Sequence, residues 1–279
     1  MTRISRSHPR YHSLVTRARL AEELRSGLVV PEGLIAHGRS EAFDYLLGER
    51  TTASARKAIR RAAEWLVAAR APALSVNGNV AALAAPVVAQ VARALPGLRV
   101  EVNLFHRTPG RAAQVARRLR VAGVPRVLGL RPTGRIPGLS SDRARVDPQG
   151  IGRADVVLVP LEDGDRTAAL KRAGKRVISI DLNPLSRTSL GADVPIVDEL
   201  VRALTRLVRE IPGARRRARP GKFRPFSAAA ARGDALKTMG RRLAAATRQR
   251  GSRAGPVRPD SRGVGPPRSG TGRPRRRRP

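Results

Sequence analysis

The sequence predicts a three-layer α/β fold with a mostly parallel sheet, followed by a basic, disordered C-terminal tail. Three observations carry this. Strand-like and helix-like patterns alternate from Leu74 to about Ile211. The runs at 154–161 and 177–180 are apolar and rich in β-branched residues, as in strands covered on both faces. Polar clusters follow nearly every strand, and open α/β sheets bind their ligands outside the carboxyl ends of the strands.

The elements follow in order. From Ser13 a helix carries Leu14, Ala18, Ala21 and Leu24 on one face and is ended by Gly27. Arg17 lies beside that stripe, where it either snorkels or reaches an anion. Residues 29–34 read as a connecting run, Gly38 as a tight turn, and Ser40 as the cap of a helix over 41–47. His37 and Arg39 then stand beside a helix N-terminus, which favours anions, although a surface turn with two solvated side chains fits the same residues. Residues 54–69 form an amphipathic helix that buries Ala55, Ile59, Ala62, Ala63 and Leu66.

A strand over 73–76, the turn Asn77-Gly78-Asn79 and a helix over 80–95 give the outline of a mononucleotide-binding unit. Neither GxxxxGK[ST] nor GxGxxG is present. The next unit has a strand over 99–103, the cluster Phe105-His106-Arg107-Thr108, and a helix over 109–122 capped by Thr108. A strand over 126–130 leads to a long Gly/Pro-rich connection, 131–152, of a length that is usually functional or disordered. The strand at 154–161 runs into Glu162, Asp163 and Asp165 and a short helix ending at Ala173. Those carboxylates either ligate Mg²⁺ or cap the helix and oppose its dipole.

The strand through Val177, Ile178 and Ile180 breaks at Asp181, and Pro184 prevents it from continuing. Asp181, Asn183, Ser186, Arg187 and Thr188 then offer acceptors, donors and a fixed cation at a strand end, although a simple capped turn reads the same way. A strand over 194–197 and a helix over 198–211 complete a main domain of residues 1–211. An extension, 212–249, holds one helix over 235–248, and the Arg/Pro/Gly-rich tail covers 250–279.

Composition narrows the function. The absence of cysteine excludes disulfides, thiolate metal sites and thiol nucleophiles, and four histidines without HExxH spacing argue against a zinc centre. No apolar run approaches the ~20 residues that span a membrane, and the basic N-terminus lacks a signal-peptide apolar stretch, so the expected location is cytoplasmic. The net charge of +35 invites a nucleic-acid reading. From Pro212 onward, however, 21 basic and 2 acidic residues account for +19, leaving +16 spread over the first 211. Nucleic acid is therefore expected only as a side partner of the basic tail. A nicotinamide-dependent oxidoreductase is the other alternative, because Asp181 resembles a ribose-binding acid, but the glycine fingerprint is missing.

Seven motifs in unbroken order go further: Gly33-Leu-Ile-Ala-His-Gly-Arg39, Glu41-Ala-Phe-Asp-Tyr-Leu46, Ser75-Val-Asn-Gly-Asn-Val80, Val102-Asn-Leu-Phe-His-Arg-Thr108, Ile136-Pro-Gly-Leu139, Val159-Pro-Leu-Glu-Asp-Gly-Asp-Arg-Thr167 and Ile180-Asp-Leu-Asn-Pro-Leu-Ser-Arg187. Together they resemble the archaeal phosphopantothenate synthetases, or 4-phosphopantoate–β-alanine ligases, from about residue 3 to 211. The resemblance implies a Rossmann-like fold, a homodimer, and an AMP-forming ligase of coenzyme A biosynthesis. Its substrates would be ATP, accompanied by Mg²⁺, with 4-phosphopantoate and β-alanine, joined through an acyl-adenylate. No dedicated protein metal site is expected. The family's ATP-binding positions fall on Arg17, Arg39, Asp181, Leu182, Asn183, Arg187, Thr188, Glu199 and Leu200. The last pair departs from the family's usual Asn-Ile. His37, His106 and Arg107 are the expected catalytic residues, the histidines for proton transfer from β-alanine and Arg107 as an anion clamp.

Overall fold

The computed structural model describes residues 4–251. Helices α1 (Tyr11–Arg25), α2 (Pro31–Leu47) and α3 (Ala53–Ala68) precede the alternating series β1 (Pro72–Val76), α4 (Gly78–Ala94), β2 (Arg99–Val102), α5 (Pro109–Val121) and β3 (Val127–Leu128). The short strands β4 (Gly134–Arg135) and β5 (Arg145–Val146) follow, then β6 (Val156–Pro160), α6 (Gly164–Arg172) and β7 (Arg176–Ile180). The series ends with α7 (Arg187–Gly191), β8 (Val194–Ile196), α8 (Leu200–Arg217) and α9 (Ala228–Gly251). Six strands form one sheet in the order β3-β2-β1-β6-β7-β8, and every neighbouring pair is parallel. The chain winds outward from β1 to β3 and then returns to lay β6 beside β1. The strand order therefore reverses between β1 and β6.

Period-two alternation decides which side chain enters which layer. Leu74, Val76, Val156, Leu158, Ile178 and Ile180 point into one core, packed by Ile59, Leu66, Val88, Leu119 and Leu204 of the larger helices. Ala73, Val157, Val159 and Val177 point into a second, smaller core with Leu170 of α6. Both faces are covered, which is why β1 and β6 are buried at every position. The helix starts are set locally: Thr52, Asn77 and Thr108 each accept a hydrogen bond from the backbone N–H three residues on, a cap worth about 1 kcal/mol.

The structure departs from the sequence reading in four places. Gly38 and Ser40 are neither turn nor cap, because α2 runs unbroken from Pro31 at its first turn to Gly48, whose φ of 84° closes it in the left-handed conformation. His37 and Arg39 therefore sit mid-helix instead of beside a helix N-terminus. The 131–152 connection is not structureless. It holds the antiparallel pair β4–β5, a 3₁₀ turn and a π turn, and buries Ile136, Val146 and Ile151 as part of the second core. Helix α8 continues through Pro212 to Arg217, since that proline is exposed and the N–H it lacks would have bonded on the solvent side. A short helix, α7, follows the Ser186 cap.

By compactness the chain divides into residues 1–243 and 244–279. The described part of the second unit is the end of α9. The expected disordered tail, 250–279, lies outside the described residues apart from its first two positions.

Candidate active site

A strand-order reversal leaves a crevice at the carboxyl ends of the two strands that flank it. Here Asn77 spans the gap. Its Oδ1 accepts from Val80 N at 3.0 Å to cap α4, and its Nδ2 donates to Leu161 O at 2.9 Å just beyond β6. Leu161 has a φ of 51°, a left-handed conformation uncommon for a residue with a side chain. That conformation turns the chain out of the sheet toward Glu162. Gly78 must be glycine, because a Cβ there would lie 2.3 Å from Leu28 O.

The crevice opens into a cleft of about 340 Å³. One end, above β7 and β8, is lined by Asp181, Leu182, Asn183, Ser186, Glu199 and Leu200. Helix α2 supplies His37, Arg39, Ser40 and Phe43 as a side wall. The other end, above β2 and β1, holds Phe105, His106, Arg111 and Arg143, with Glu162 and Asp163 between the two ends. Leu83, Leu104 and Leu161 add apolar lining.

The electrostatics differ from end to end. Burial raises the Asp181 carboxyl above its usual value, while the Ser186 hydroxyl, the Asn183 N–H at 2.9 Å and Arg39 oppose the rise. Burial likewise raises Glu199, whose two oxygens accept from Val201 N and Arg202 N at 2.8 Å each and so cap α8. Its side chain thus performs the helix-capping task an asparagine can also perform. His37 is lowered by burial, with Arg17 acting in the same direction and Glu41 against it, and its Nε2 has no hydrogen-bond partner. His106 is exposed, its Nε2 3.8 Å from Glu32 Oε1.

Of the residues the sequence singled out, the cleft collects His37, Arg39, His106, Asp181, Leu182, Asn183, Glu199 and Leu200. Four stand outside its lining. Arg17 forks onto Glu41 at 2.6 and 3.0 Å and reaches the Tyr45 hydroxyl. Arg107 donates to the carbonyls of Gly129 and Leu130, which ties it to the turn after β3. Arg187 is exposed and pairs with Asp165. Thr188 is buried and donates to Glu162 O at 2.6 Å, fixing the loop after β6. Glu162, Asp163 and Asp165 do not converge as a cation cage. Glu162 is held by Arg143 and Arg166, and Asp165 by Arg187.

Sequence reasoning missed that buried charge cluster. Arg166 of α6 is fully enclosed; it donates to Ser75 Oγ at 2.8 Å, to Arg143 O at 3.2 Å and to Glu162. Nearby in β2, buried Glu101 accepts from Asp147 N at 3.0 Å and Ile151 N at 2.6 Å, and so anchors the segment that carries Arg143. Gly150 leaves room for it: a Cβ there would fall 2.0 Å from Glu101 Oε2. The available signal was register. Ser75 pairs with Glu101 across β1 and β2, so two polar residues interrupt otherwise apolar strands side by side.

Comparison with known proteins bears directly on this cleft. The sequence model of a family described as phosphopantothenate/pantothenate synthetase matches residues 54–242. A 4-phosphopantoate–β-alanine ligase of Thermococcus onnurineus is 53% identical over 215 residues, covering 76% of this chain and 82% of the relative. The enzyme of the same name from Methanospirillum hungatei is 54% identical over 206 residues, 74% of this chain and 84% of its own. That of Methanosarcina mazei is 52% identical over 204 residues, covering 73% and 80%.

Proposed function

The chain belongs to the phosphopantothenate/pantothenate synthetase family, and on that premise we propose that it condenses 4-phosphopantoate with β-alanine at the expense of ATP. The products are 4′-phosphopantothenate, AMP and diphosphate, and the role is in coenzyme A biosynthesis in the cytoplasm, as a homodimer. The observation that carries this reading is a cleft at the strand-order reversal, lined at one end by Asp181 and Asn183 and at the other by Arg111 and Arg143.

In the first step a carboxylate oxygen of phosphopantoate attacks the α-phosphorus of ATP. The α–β anhydride bond breaks and diphosphate leaves. In the second, the amine of β-alanine attacks the acyl carbon of the adenylate, AMP leaves, and the nitrogen gives up a proton. Both steps depend on alignment and charge stabilisation and require no covalent enzyme intermediate. Asp181 and Asn183 take the adenosine, with Leu182, Glu199 and Leu200 closing that end. Arg39, which faces Asp181 across the cleft, meets the phosphates as a cation that does not lose its charge. His37, kept neutral by burial, is the acceptor for the β-alanine proton, with His106 in reserve at the open end.

The remaining residues act from further out. Arg17, held by Glu41, backs His37. Exposed Arg187 leaves Asp165 to meet ATP phosphates. Thr188 holds the Glu162 loop, and Arg107 holds the turn beside the acid-substrate end. Mg²⁺ arrives on the ATP phosphates, in keeping with its preference for phosphate and water oxygens. The exposed side chains of Leu185 and Leu190 supply apolar surface for the homodimer.

Diphosphate–ATP exchange tests the intermediate. With ATP, 4-phosphopantoate and labelled diphosphate, but no β-alanine, label enters ATP. Exchange that needs β-alanine would contradict an acyl-adenylate formed ahead of the amine.

A further inference from the structure

The C-terminal helix takes no part in the roles above, yet it reaches the β7–β8 end of the cleft from behind. Among the described residues of α9, only Ala231, Ala235 and Met239 are buried. Ala235 and Met239 form a third, small core with Leu47, Leu182 and Val197, and Phe43 packs against it. Three segments of the cleft meet there. Phe43 of α2 and Leu182 of the loop after β7 line the cleft directly. Val197 leads from β8 into Asp198 and Glu199, the residue that caps α8. Two arginines extend the contact. Arg232 donates to Ser189 O of α7 at 3.2 Å. The Arg242 guanidinium lies against Gly48, where an added Cβ would fall 2.7 Å from its Cζ. That is the C-terminus of α2, a place that favours a cation. Arg232, Ala235, Met239 and Arg242 are spaced by three, four and three residues, so one narrow stripe of α9 makes all of these contacts.

A helix buried along so thin a stripe opens at a lower free energy than the core helices. Its docking is therefore an equilibrium that a ligand can shift. Resting on the reading above, adenosine occupies the end lined by Asp181, Leu182 and Asn183. We propose that α9 braces this end for ATP. Met239 and Ala235 are positioning residues: they fix Leu182 relative to Phe43 and so set the width that adenosine meets. Docking of α9 and binding of ATP then favour each other, and such coupling is reciprocal. Loosening α9 weakens ATP, and ATP holds α9 in place.

The test uses the full chain. Affinities for ATP and for 4-phosphopantoate are measured by calorimetry for wild type, Met239→Ala, Met239→Leu and Arg232→Ala, with a thermal melt for each. Amide exchange over Arg232–Arg242 is followed with and without ATP. Met239→Ala is expected to weaken ATP about 5- to 50-fold, while 4-phosphopantoate changes little. At saturating ATP its kcat stays close to wild type, so the loss falls on KM. Met239→Leu, similar in volume, restores most of the affinity. Arg232→Ala leaves the apolar contacts in place and gives a smaller loss of the same kind, so it reads the brace even if Met239→Ala fails to fold. In wild type, ATP slows exchange in α9. A folded Met239→Ala or Arg232→Ala with wild-type ATP affinity, an equal loss of both ligands, or α9 exchange indifferent to ATP overturns the brace and leaves the ligase reading intact. A wild type that binds neither ATP nor 4-phosphopantoate overturns the ligase reading itself.

Discussion

Asp181 follows β7 as a half-buried carboxylate whose Oδ1 is already bound to Asn183 N, and Asn183 Oδ1 in turn accepts from Leu185 N at 2.9 Å. Asp181→Ala removes the first of these turns together with the carboxylate proposed to meet adenosine, and leaves the second in place. We expect it to weaken ATP binding by about 10-fold or more with a shift in Tm of only a few degrees; unchanged ATP affinity by titration would remove Asp181 from the nucleotide site. Glu101 makes a prediction about pH. Burial raises it from the usual 4.5 to about 7, against the pull of the Ile151 and Asp147 N–H groups and Arg166. The folded chain therefore holds a proton that the unfolded chain releases. The resulting stabilisation is full below about 4.5 and is lost as pH rises through about 7. Measured by denaturant titration, wild type minus Glu101→Gln should be more favourable at pH 5 than at pH 8, and a pH-independent difference would contradict the assignment. The Arg143–Glu162–Arg166 cluster was not legible in the sequence, since Ser75 and Arg166 are 91 residues apart and only the sheet register brings them together. Asp181 was legible, because a buried strand ending at an acid is a local signal.

Helix α2 carries His37 and Arg39 along the cleft, yet among its residues only Asp44 and Leu47 are buried. Asn79 holds its first turn through Gly33 O, Arg17 holds its middle through Glu41, and α8 holds its C-terminal end. Arg202, in the first turn of α8, forks onto Asp44 at 2.6 and 3.0 Å and also binds buried Asp198, which accepts from Thr51 at 2.7 Å. Arg202→Ala would leave buried Asp198 without its cation, a change that costs about 3 kcal/mol in such sites. Because the same change loosens the C-terminal end of α2, we expect the KM for ATP to rise as well. A variant destabilised to this extent but with wild-type KM would show that α2 is held by other means. The sequence reading placed a break in this helix at Gly38 because glycine and Ser40 together make a good local turn. A glycine inside a helix costs only about 1 kcal/mol, and contacts elsewhere along α2 outweigh it. The cap residues Thr52, Asn77 and Thr108 were readable for the opposite reason: their hydrogen bonds reach only three residues along the chain.

Across the whole molecule, winding order and charge do different work. Parallel pairing follows from the alternation of strands and helices, and the observed order β3-β2-β1-β6-β7-β8 places the cleft at its reversal. The second core, by contrast, is built partly from the 131–152 segment, whose Gly and Pro content concealed its buried Ile136, Val146 and Ile151. The excess of basic residues is heaviest after Pro212, whereas the cleft mixes three arginines with five carboxylates, so the bulk positive charge does not belong to it. The account rests on AMP. Incubated with ATP, 4-phosphopantoate and β-alanine, the protein should release AMP and diphosphate in step with 4′-phosphopantothenate; release of ADP and phosphate, or no condensation, would contradict it.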